Sequence, residues 1–248
     1  MVDNFFKLLQ EDTPLKIVGT INAYSALIAK KSGHKAIYLS GAGVANASFG
    51  LPDLALTSRD NVLEDLRRIK GIVNLPILVD CDTGWGSGLN ISKTIKEMIS
   101  AGADAVHLED QVSEKRCGHR PGKEIVSEEE MVDRIKAAKD SIIKNDFMLM
   151  ARTDAFSKEG INSVIDRSNA YLEAGANSIF PEAITKLEDY LEISKNVNAP
   201  ILANITEFGL TPMFKTGELK NAGIKMILYP LSAFRAMSKA AEDIYLEL

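Results

Sequence analysis

The chain has 248 residues, of which 46% are hydrophobic and 25% are charged, proportions that are usual for a globular protein with a full core. The net charge of −5 argues against a nucleic-acid partner, which usually needs a basic face. No apolar stretch reaches the roughly 20 residues of a membrane span and the N-terminal segment has no secretory signal, so we expect a cytoplasmic protein without a membrane partner.

Short apolar runs alternate along the chain with helical patterns. The runs are almost continuously hydrophobic, as expected for parallel strands that are covered on both faces. They begin at Lys16, Ala36, Pro76, Ala105, Phe147, Ser178, Pro200 and Met226. Eight strands that alternate with helices in about 250 residues predict a single (β/α)8 barrel of the TIM type over residues 1–248, with a doubly wound sheet as the alternative. A final helix, Leu231–Leu248, completes the eighth unit.

Three of the other helices have recognisable boundaries. The segment Asn90–Ser100 ends in Ala101-Gly102-Ala103 and Ile161–Ala174 ends in Gly175-Ala176, and glycine is the usual residue after a last helical turn. Ser127 and Glu130 have the spacing of a capping box, which predicts a helix from there to about Lys144.

Polar residues end most of the runs, and in a barrel these ends form the rim that carries active sites. Asp80 and Asp82 end the third run. Because side chains alternate along a strand, we expect both to face the barrel mouth and Cys81 to pack under the helices. His107 and Glu109 share one face of the fourth run for the same reason.

The three acids Asp80, Asp82 and Glu109 are therefore predicted to lie together. Carboxylates that approach closely repel each other unless a cation lies between them. A set of carboxylates without paired His or Cys suits Mg²⁺ or Mn²⁺ better than zinc. The alternatives are that the aspartates cap helices or brace loops, and that His107 is a buried histidine with no role in orienting substrate.

Further polar residues end the fifth, sixth and seventh runs. Arg152 suits bidentate binding of a carboxylate, with a salt bridge to a rim acid as the alternative. Glu182 ends the sixth run, and Asn204 and Thr206 share a face at the end of the seventh. Each is a weak signal alone, but their common place on the rim predicts a polar site there.

Two loops are candidates for covering the rim. The segment Gly41–Leu56 is long, rich in small residues and carries Asp53, as is typical of loops that close over substrates. A mobile active-site loop is predicted at about 111–126, where Cys117 lies among Lys, Arg and His residues. Cationic neighbours stabilise a thiolate, which suits a nucleophile and equally a general acid. An incidental surface cysteine is the alternative.

Six segments resemble the isocitrate lyase/phosphoenolpyruvate mutase superfamily, over almost the whole chain. They are LVDCDTGWG, HLEDQVSEKRCGHRPGKEIVSEEEMVDRI, MARTDA, FPEAI, ILANITEFG and LYPLSAFRAM. The Lys-Arg-Cys-Gly-His motif is specific for the lyase branch of that family. Family members continue past the position of Leu248 with further helices, so the resemblance implies a barrel without the usual C-terminal helical extension.

The resemblance also implies a reaction, namely Mg²⁺-dependent retro-aldol cleavage of 2-methylisocitrate to pyruvate and succinate in the methylcitrate route of propionate breakdown. The three acids would hold the cation, Cys117 would protonate the succinate carbanion, and Tyr38 would take the hydroxyl proton. Arg152 would be the third catalytic residue, in contact with a carboxylate or hydroxyl of the substrate. The residues expected to bind substrate are Ser40, Gly41, Ala42, Asp53, His107, Arg116, Gly118, His119, Glu182, Asn204, Ile205, Thr206 and Arg235.

Several functions remain open on the sequence alone. Isocitrate lyase is the nearest alternative, because the two substrates differ by one methyl group, worth about 1–3 kcal/mol in a pocket. An oxaloacetate decarboxylase-like activity would leave Cys117 without a role. A catalytically silent metabolite-binding protein is the alternative of another class. The resemblance implies a small di- or tricarboxylate substrate and a homo-oligomer, which is a tetramer in the family.

Overall fold

A computed structural model describes residues 4–11, 14–143 and 146–248. Eight parallel strands form one sheet. The strands are β1 (Leu15–Gly19), β2 (Ala36–Leu39), β3 (Ile77–Asp80), β4 (Ala105–Glu109), β5 (Met148–Thr153), β6 (Ser178–Pro181), β7 (Leu202–Asn204) and β8 (Met226–Tyr229). Each strand overlaps one of the predicted apolar runs.

The strand order is β6-β5-β4-β3-β2-β1-β8-β7. A parallel bridge between Ile179 and Ile201 joins the two ends of this sheet and closes it into a barrel. The predicted TIM-type barrel is therefore confirmed, and the doubly wound alternative is wrong.

Helices follow the strands and surround the barrel. They are α1 (Phe5–Glu11), α2 (Ala23–Lys31), α3 (Gly41–Gly43), α4 (Arg59–Lys70), α5 (Gly88–Ala101), α6 (Glu128–Lys139), α7 (Phe156–Glu173), α8 (Leu187–Asn196), α9 (Thr216–Asn221) and α10 (Ser232–Glu247). Among these helices, none combines the length and the apolar character that crossing a membrane requires.

The predicted helix boundaries agree with the structure in most places. Gly102 and Gly175, which follow α5 and α7, have φ values of 100° and 114°, a conformation that glycine adopts without strain. Helix α6 ends at Lys139, earlier than predicted, and Lys144 lies outside the described residues. The Ser127 hydroxyl accepts from the Glu130 N–H at 3.2 Å, but the Glu130 carboxylate contacts Arg134 instead of closing a capping box.

The segment Gly41–Leu56 differs from the predicted open loop. Its first half is helical, because α3 continues into a π-helical turn at Val44–Ser48. The Ser40 hydroxyl caps this helix by accepting from the Gly43 N–H at 3.2 Å. Only the second half, which carries Asp53, is irregular.

The strands separate two apolar layers. An outer layer packs between the strands and the helices, and it includes Cys81 as predicted. An inner layer fills the barrel itself. At the bottom of the barrel, Phe5 and Leu8 of α1 join the inner layer and are fully buried. A filled interior supports the strands from within, so the ends of the strands form a rigid frame for the rim.

We expect Leu8→Ala to lower the free energy of unfolding by about 2–5 kcal/mol, because it leaves a cavity where α1 fills the barrel bottom. Leu89→Ala is the matched control, since the Leu89 side chain is 88% exposed. Its effect should stay within about 0.5 kcal/mol. Chemical denaturation followed by circular dichroism measures both. Equal effects of the two substitutions would contradict a structural role for α1.

Candidate active site

Three buried carboxylates converge at the barrel mouth. One oxygen each from Asp80, Asp82 and Glu109 lies within 4.8 Å of the others. Asp80 and Glu109 are the last residues of β3 and β4, two adjacent strands. The predicted carboxylate cluster is therefore present in the fold.

Asp82 reaches the cluster for a different reason than expected. It lies beyond the end of β3 with a φ of 45°, so strand alternation does not orient it. The Asp82 N–H donates to the Asp80 carboxylate at 3.1 Å, and its carbonyl accepts from the Glu109 N–H at 2.9 Å. This left-handed conformation costs a non-glycine residue about 1–2 kcal/mol, and the two hydrogen bonds hold it in place.

The residues present fit a divalent cation. Both carboxylate oxygens of Glu109 are buried and accept no hydrogen bond from the described residues. The nearest cation is the Arg152 guanidinium, whose Nη1 lies 3.1 Å from Glu109 Oε2. Buried oxygens without donors are costly unless an ion binds them, and clustered carboxylates are ligands for hard cations.

Burial and charge shift the pKa values of the three acids in different directions. Burial raises the pKa of Glu109 well above its usual value and raises the pKa of Asp82 to about 6, against the opposing charge of Lys115. Burial acts on Asp80 in the same sense, but in the acid range where Asp80 titrates the positive charges of His107, Lys115 and Arg152 outweigh it and lower the pKa of Asp80. His107 is itself neutral at pH 7, because burial lowers its pKa to about 4.

Lys115 is a residue of this site that the sequence reasoning did not single out. Its buried ammonium lies 2.6 Å from an Asp53 oxygen and 2.7 Å from an Asp82 oxygen. It therefore joins the loop after β2 to the carboxylate cluster. The sequence signal that could have identified it is its place in the Lys-Arg-Cys-Gly-His motif, two residues before Cys117.

Tyr38 and His107 lie directly beneath the cluster. The Tyr38 hydroxyl is 2.9 Å from His107 Nε2 and 3.2 Å from an Asp80 oxygen. Burial and the charge of Asp80 raise the pKa of Tyr38 well above its usual value. The phenol therefore keeps its proton at neutral pH and donates a hydrogen bond within this group.

Arg152 lies among several acids of the rim. Its guanidinium contacts Glu109 at 3.1 Å, Glu182 at 3.4 Å and Asp154 at 2.9 Å and 3.2 Å. It also lies over the Phe180 ring, 5.2 Å from the centroid. Arg152 thus forms the salt bridges that were the alternative reading, and it also lines the cavity.

The tip of the 111–126 loop, residues 117–119, lies over this cavity. His119 Nδ1 accepts from the Leu210 N–H at 3.0 Å, so its Nε2 carries the proton and points to Glu182 Oε1 at 3.2 Å. Gly118 packs so closely that an added Cβ would lie 2.3 Å from Glu182 Cγ and 2.5 Å from Arg152 Nη2. The tip is therefore seated on the rim without room for a side chain at Gly118.

Cys117 lies at this tip and is partly buried. Burial raises the pKa of the Cys117 thiol, and the nearby Asp53 and Glu182 carboxylates act in the same direction, while a backbone hydrogen bond from His119 opposes them. The expected stabilisation of a thiolate by cationic neighbours is thus not what the fold produces. A protonated thiol favours a proton donor over a nucleophile.

The predicted site residues fall into three groups. Those that line the cavity are Tyr38, Ser40, Ala42, Asp53, Asp80, Cys117, Gly118, His119, Arg152, Glu182, Asn204, Thr206 and Arg235. Those that lie against them are Gly41, Asp82, His107 and Glu109. The Arg116 side chain is exposed, and Ile205 packs in the outer apolar layer, so neither side chain is among the lining residues.

The cavity has further lining residues beyond those predicted. They are Lys115, Arg120, Phe180, Glu207, Phe208, Gly209, Leu228, Pro230 and Leu231. Most lie inside the segments ILANITEFG and LYPLSAFRAM, next to residues that the prediction included. Arg235 contacts two neighbours here, Thr206 at 2.8 Å and Glu207 at 2.6 Å.

The chain matches the family model described as phosphoenolpyruvate phosphomutase over residues 5–248. The chain belongs to the phosphoenolpyruvate mutase/isocitrate lyase superfamily. The predicted family is therefore confirmed.

Individual relatives show which members of the superfamily the chain resembles. The chain is 57% identical to a 2-methylisocitrate lyase of Escherichia coli strain K12, over 97% of its own length and 82% of that protein. Among solved structures, oxaloacetate acetylhydrolase with the inhibitor 3,3-difluorooxalacetate has a TM-score of 0.93 at 30% identity, covering 97% of this chain and 83% of that one. A 2,3-dimethylmalate lyase, titled as a member of the same superfamily, has a TM-score of 0.93 at 31% identity, covering 98% and 82%.

We expect Glu109→Gln to weaken Mg²⁺ binding by about tenfold or more, because it removes a carboxylate ligand from the cluster while keeping the side-chain shape. Isothermal titration calorimetry measures the affinity, and circular dichroism checks the fold. Asp166→Asn, at an exposed position on α7, should leave the affinity unchanged. Equal affinity of wild type and Glu109→Gln would remove Glu109 from the ligand set.

Proposed function

We propose that the protein is a Mg²⁺-dependent carbon–carbon lyase that cleaves 2-methylisocitrate to pyruvate and succinate. One observation carries the proposal: the Cys117 thiol lines the same cavity as Asp80 of the carboxylate cluster, in a chain 57% identical to a 2-methylisocitrate lyase. The first supplies a proton donor and the second a metal site, which are the two elements that the cleavage needs.

Asp80, Asp82 and Glu109 would hold the cation. When bound, Mg²⁺ supplies a Lewis acid that polarises the forming keto oxygen of pyruvate. Manganese could replace it, since both ions prefer oxygen ligands. Cations of the rim, Arg152 and Arg235 among them, suit the carboxylates of the substrate.

The bond changes follow from the substrate. The hydroxyl loses its proton, its oxygen forms the keto group, and the bond between carbons 2 and 3 breaks. The electron pair stays on the carbon next to a succinate carboxylate. Cys117 donates its thiol proton to that carbon, which completes succinate. Proton exchange with solvent restores the thiol before the next turnover.

The Tyr38 hydroxyl is the group that we propose as the proton acceptor. Because its pKa is raised, it can accept the substrate proton only if its own proton passes on. His107 Nε2 at 2.9 Å and Asp80 at 3.2 Å are both within reach for that transfer. In such a relay the neutral His107 would offer its Nε2 as the acceptor of the Tyr38 proton.

The remaining members of the site would bind the substrate. Ser40, Gly41 and Ala42 suit the keto-acid portion, while Glu182, Asn204 and Thr206 suit hydroxyl and carboxylate groups. Leu228, Pro230 and Leu231 add apolar surface to the same cavity, which a methyl group can contact. This surface favours the methylated substrate over isocitrate. Buried metal-site oxygens without donors argue against a catalytically silent protein.

We further propose a cytoplasmic homo-oligomer. Helix α10 contains no buried residue, yet it carries Met237, Ile244, Tyr245 and Leu246, which are 41–79% exposed. Exposed apolar side chains in such numbers are typical of contact surfaces. The tetramer that the family resemblance implies would cover such a surface.

With Mg²⁺ present, we expect pyruvate release from 2-methylisocitrate to exceed glyoxylate release from isocitrate by about tenfold or more, since one buried methyl group is worth that much. Coupled assays for the two keto acids measure the rates, with and without EDTA. Faster glyoxylate release would overturn the substrate assignment. Activity that survives EDTA would overturn the metal requirement.

We expect Cys117→Ser to reduce turnover by about 100-fold or more, because a serine hydroxyl is a much weaker acid than a thiol. Mg²⁺-dependent binding of pyruvate, measured by calorimetry, should persist because pyruvate is not protonated by this residue. Cys81→Ser is the comparison variant, because it removes a thiol that lies in the outer apolar layer and not at the cavity. A fully active Cys117→Ser enzyme would remove Cys117 from the mechanism.

A further inference from the structure

The 111–126 loop has a stem that is held by its own backbone. Gln111 and Ile125 form an antiparallel bridge, and the Val112 N–H donates to the Glu124 carbonyl at 3.0 Å. The Gln111 side chain also bonds both backbone groups of Arg116, at 2.9 Å and 3.0 Å. These contacts fix the base of the loop, but none of them reaches the tip at residues 117–119.

Lys123 connects the stem to the tip. Its ammonium donates to the Gly118 carbonyl at 2.6 Å and lies 3.2 Å from Asp154 Oδ1. The side chain is 4% exposed and the Asp154 side chain is fully buried. An ammonium removed from water needs such partners. Movement of Lys123 out of this position would therefore break both contacts and expose the ammonium to water.

Asp154 connects Lys123 to Arg152 and, through it, to acids of the candidate active site. Its carboxylate binds Arg152 through two hydrogen bonds, and its N–H donates to Asp110 at 2.8 Å. Arg152 in turn contacts Glu109 and Glu182. The Lys123 ammonium therefore bridges the loop tip and the carboxylate that orients Arg152, although Lys123 is not among the residues that line the cavity.

Because Gly118 is closely packed, a small displacement of the loop tip would disturb the contacts that Lys123 makes. An added Cβ at Gly118 would meet Glu182, Arg152 and Asp154 at 2.3, 2.5 and 2.8 Å. The backbone at the tip thus lies in direct contact with the residues that Lys123 also joins. A shift of the tip moves Cys117 with it, since Cys117 is the adjacent residue.

We infer that Lys123 is a positioning residue, which holds the Cys117 thiol over the cavity by tying the Gly118 carbonyl to Asp154. The inference rests on the proposed function only in its catalytic part, where Cys117 is the proton donor. Its structural part, that the buried Lys123 ammonium holds the tip in addition to the contacts of His119, concerns the loop alone.

Lys123→Met tests the structural part, because methionine keeps the length of the side chain and removes the charge. We expect the alkylation of Cys117 by iodoacetamide, without substrate and mapped by mass spectrometry, to become about tenfold faster or more as the tip opens. Lys136→Met is the matched control, since Lys136 is exposed on α6. The fully buried Cys81 reports in the same samples whether the whole fold has loosened.

Gly118→Ala displaces the tip from the other side and leaves Lys123 intact. It should also accelerate alkylation, whereas Gly217→Ala should not, since nothing lies within 4 Å of an added Cβ at Gly217. If Lys123→Met unfolds, Lys123→Gln replaces it in the same assay. Acceleration in Gly118→Ala with the wild-type rate in the folded Lys123 variant would overturn the tie through Lys123.

Turnover tests the catalytic part separately. We expect kcat of Lys123→Met to fall by about tenfold or more with KM changed less than about threefold, because Lys123 acts on the position of the acid and not on the substrate. Faster alkylation together with wild-type kcat would overturn the positioning role. Failure of the wild-type enzyme to cleave 2-methylisocitrate would instead count against the proposed function, while the alkylation result would still decide the structure of the tip.

Discussion

The structure of the rim depends on an imbalance of buried charge. Five buried carboxylates face one another there, namely those of Asp80, Asp82, Glu109, Asp154 and Glu182, against the buried cations Lys115, Lys123 and Arg152. Charges removed from water must be neutralised by partners, protons or ions. Asp80, Asp154 and Glu182 accept hydrogen bonds from their neighbours. The Glu109 oxygens accept none from the described residues, although Arg152 lies 3.1 Å away. The excess negative charge is thus concentrated where a divalent cation would remove it.

The same imbalance explains why neighbouring acids have different properties. Asp80 accepts hydrogen bonds from the Gly41 N–H and the Tyr38 hydroxyl, and nearby cations lower its pKa despite burial. Asp82 and Glu109 have raised pKa values because burial acts on them with less compensation. A carboxylate cluster of this kind stays charged at neutral pH most readily with a metal ion bound.

The barrel provides the rigidity that such a site requires. Side chains of α1 and of the strands fill its interior, so the strand ends cannot relax away from the repulsion among the acids. The strained backbone at Asp82 is held by hydrogen bonds that it forms with Asp80 at the end of β3 and Glu109 at the end of β4. The loop over the site is held differently, through polar contacts of His119 and Lys123, which can be exchanged for substrate or water. A fixed rim and a loop held by a few polar contacts would suit the proposed cleavage, in which water is excluded and two products are then released.

The sequence by itself determined the barrel and most of its rim. Apolar runs of strand length alternate with helical patterns, and this periodicity is local, so it can be recognised without the fold. Polar residues at the ends of the runs predicted which strands supply the site, and for Glu109 and His107 strand alternation was the right reason. Motifs such as Lys-Arg-Cys-Gly-His added the family.

Only the tertiary structure decided how these residues act together. Asp82 joins the cluster through a left-handed turn, Lys115 reaches Asp53 across 62 positions of sequence, and His119 meets Leu210 across 91. The Cys117 thiol keeps its proton because burial and nearby carboxylates outweigh the effect expected from its cationic neighbours in sequence. Contacts between distant segments and the loss of water around a group are properties of the packed chain. They set charge and orientation in the site, and no local pattern of residues records them.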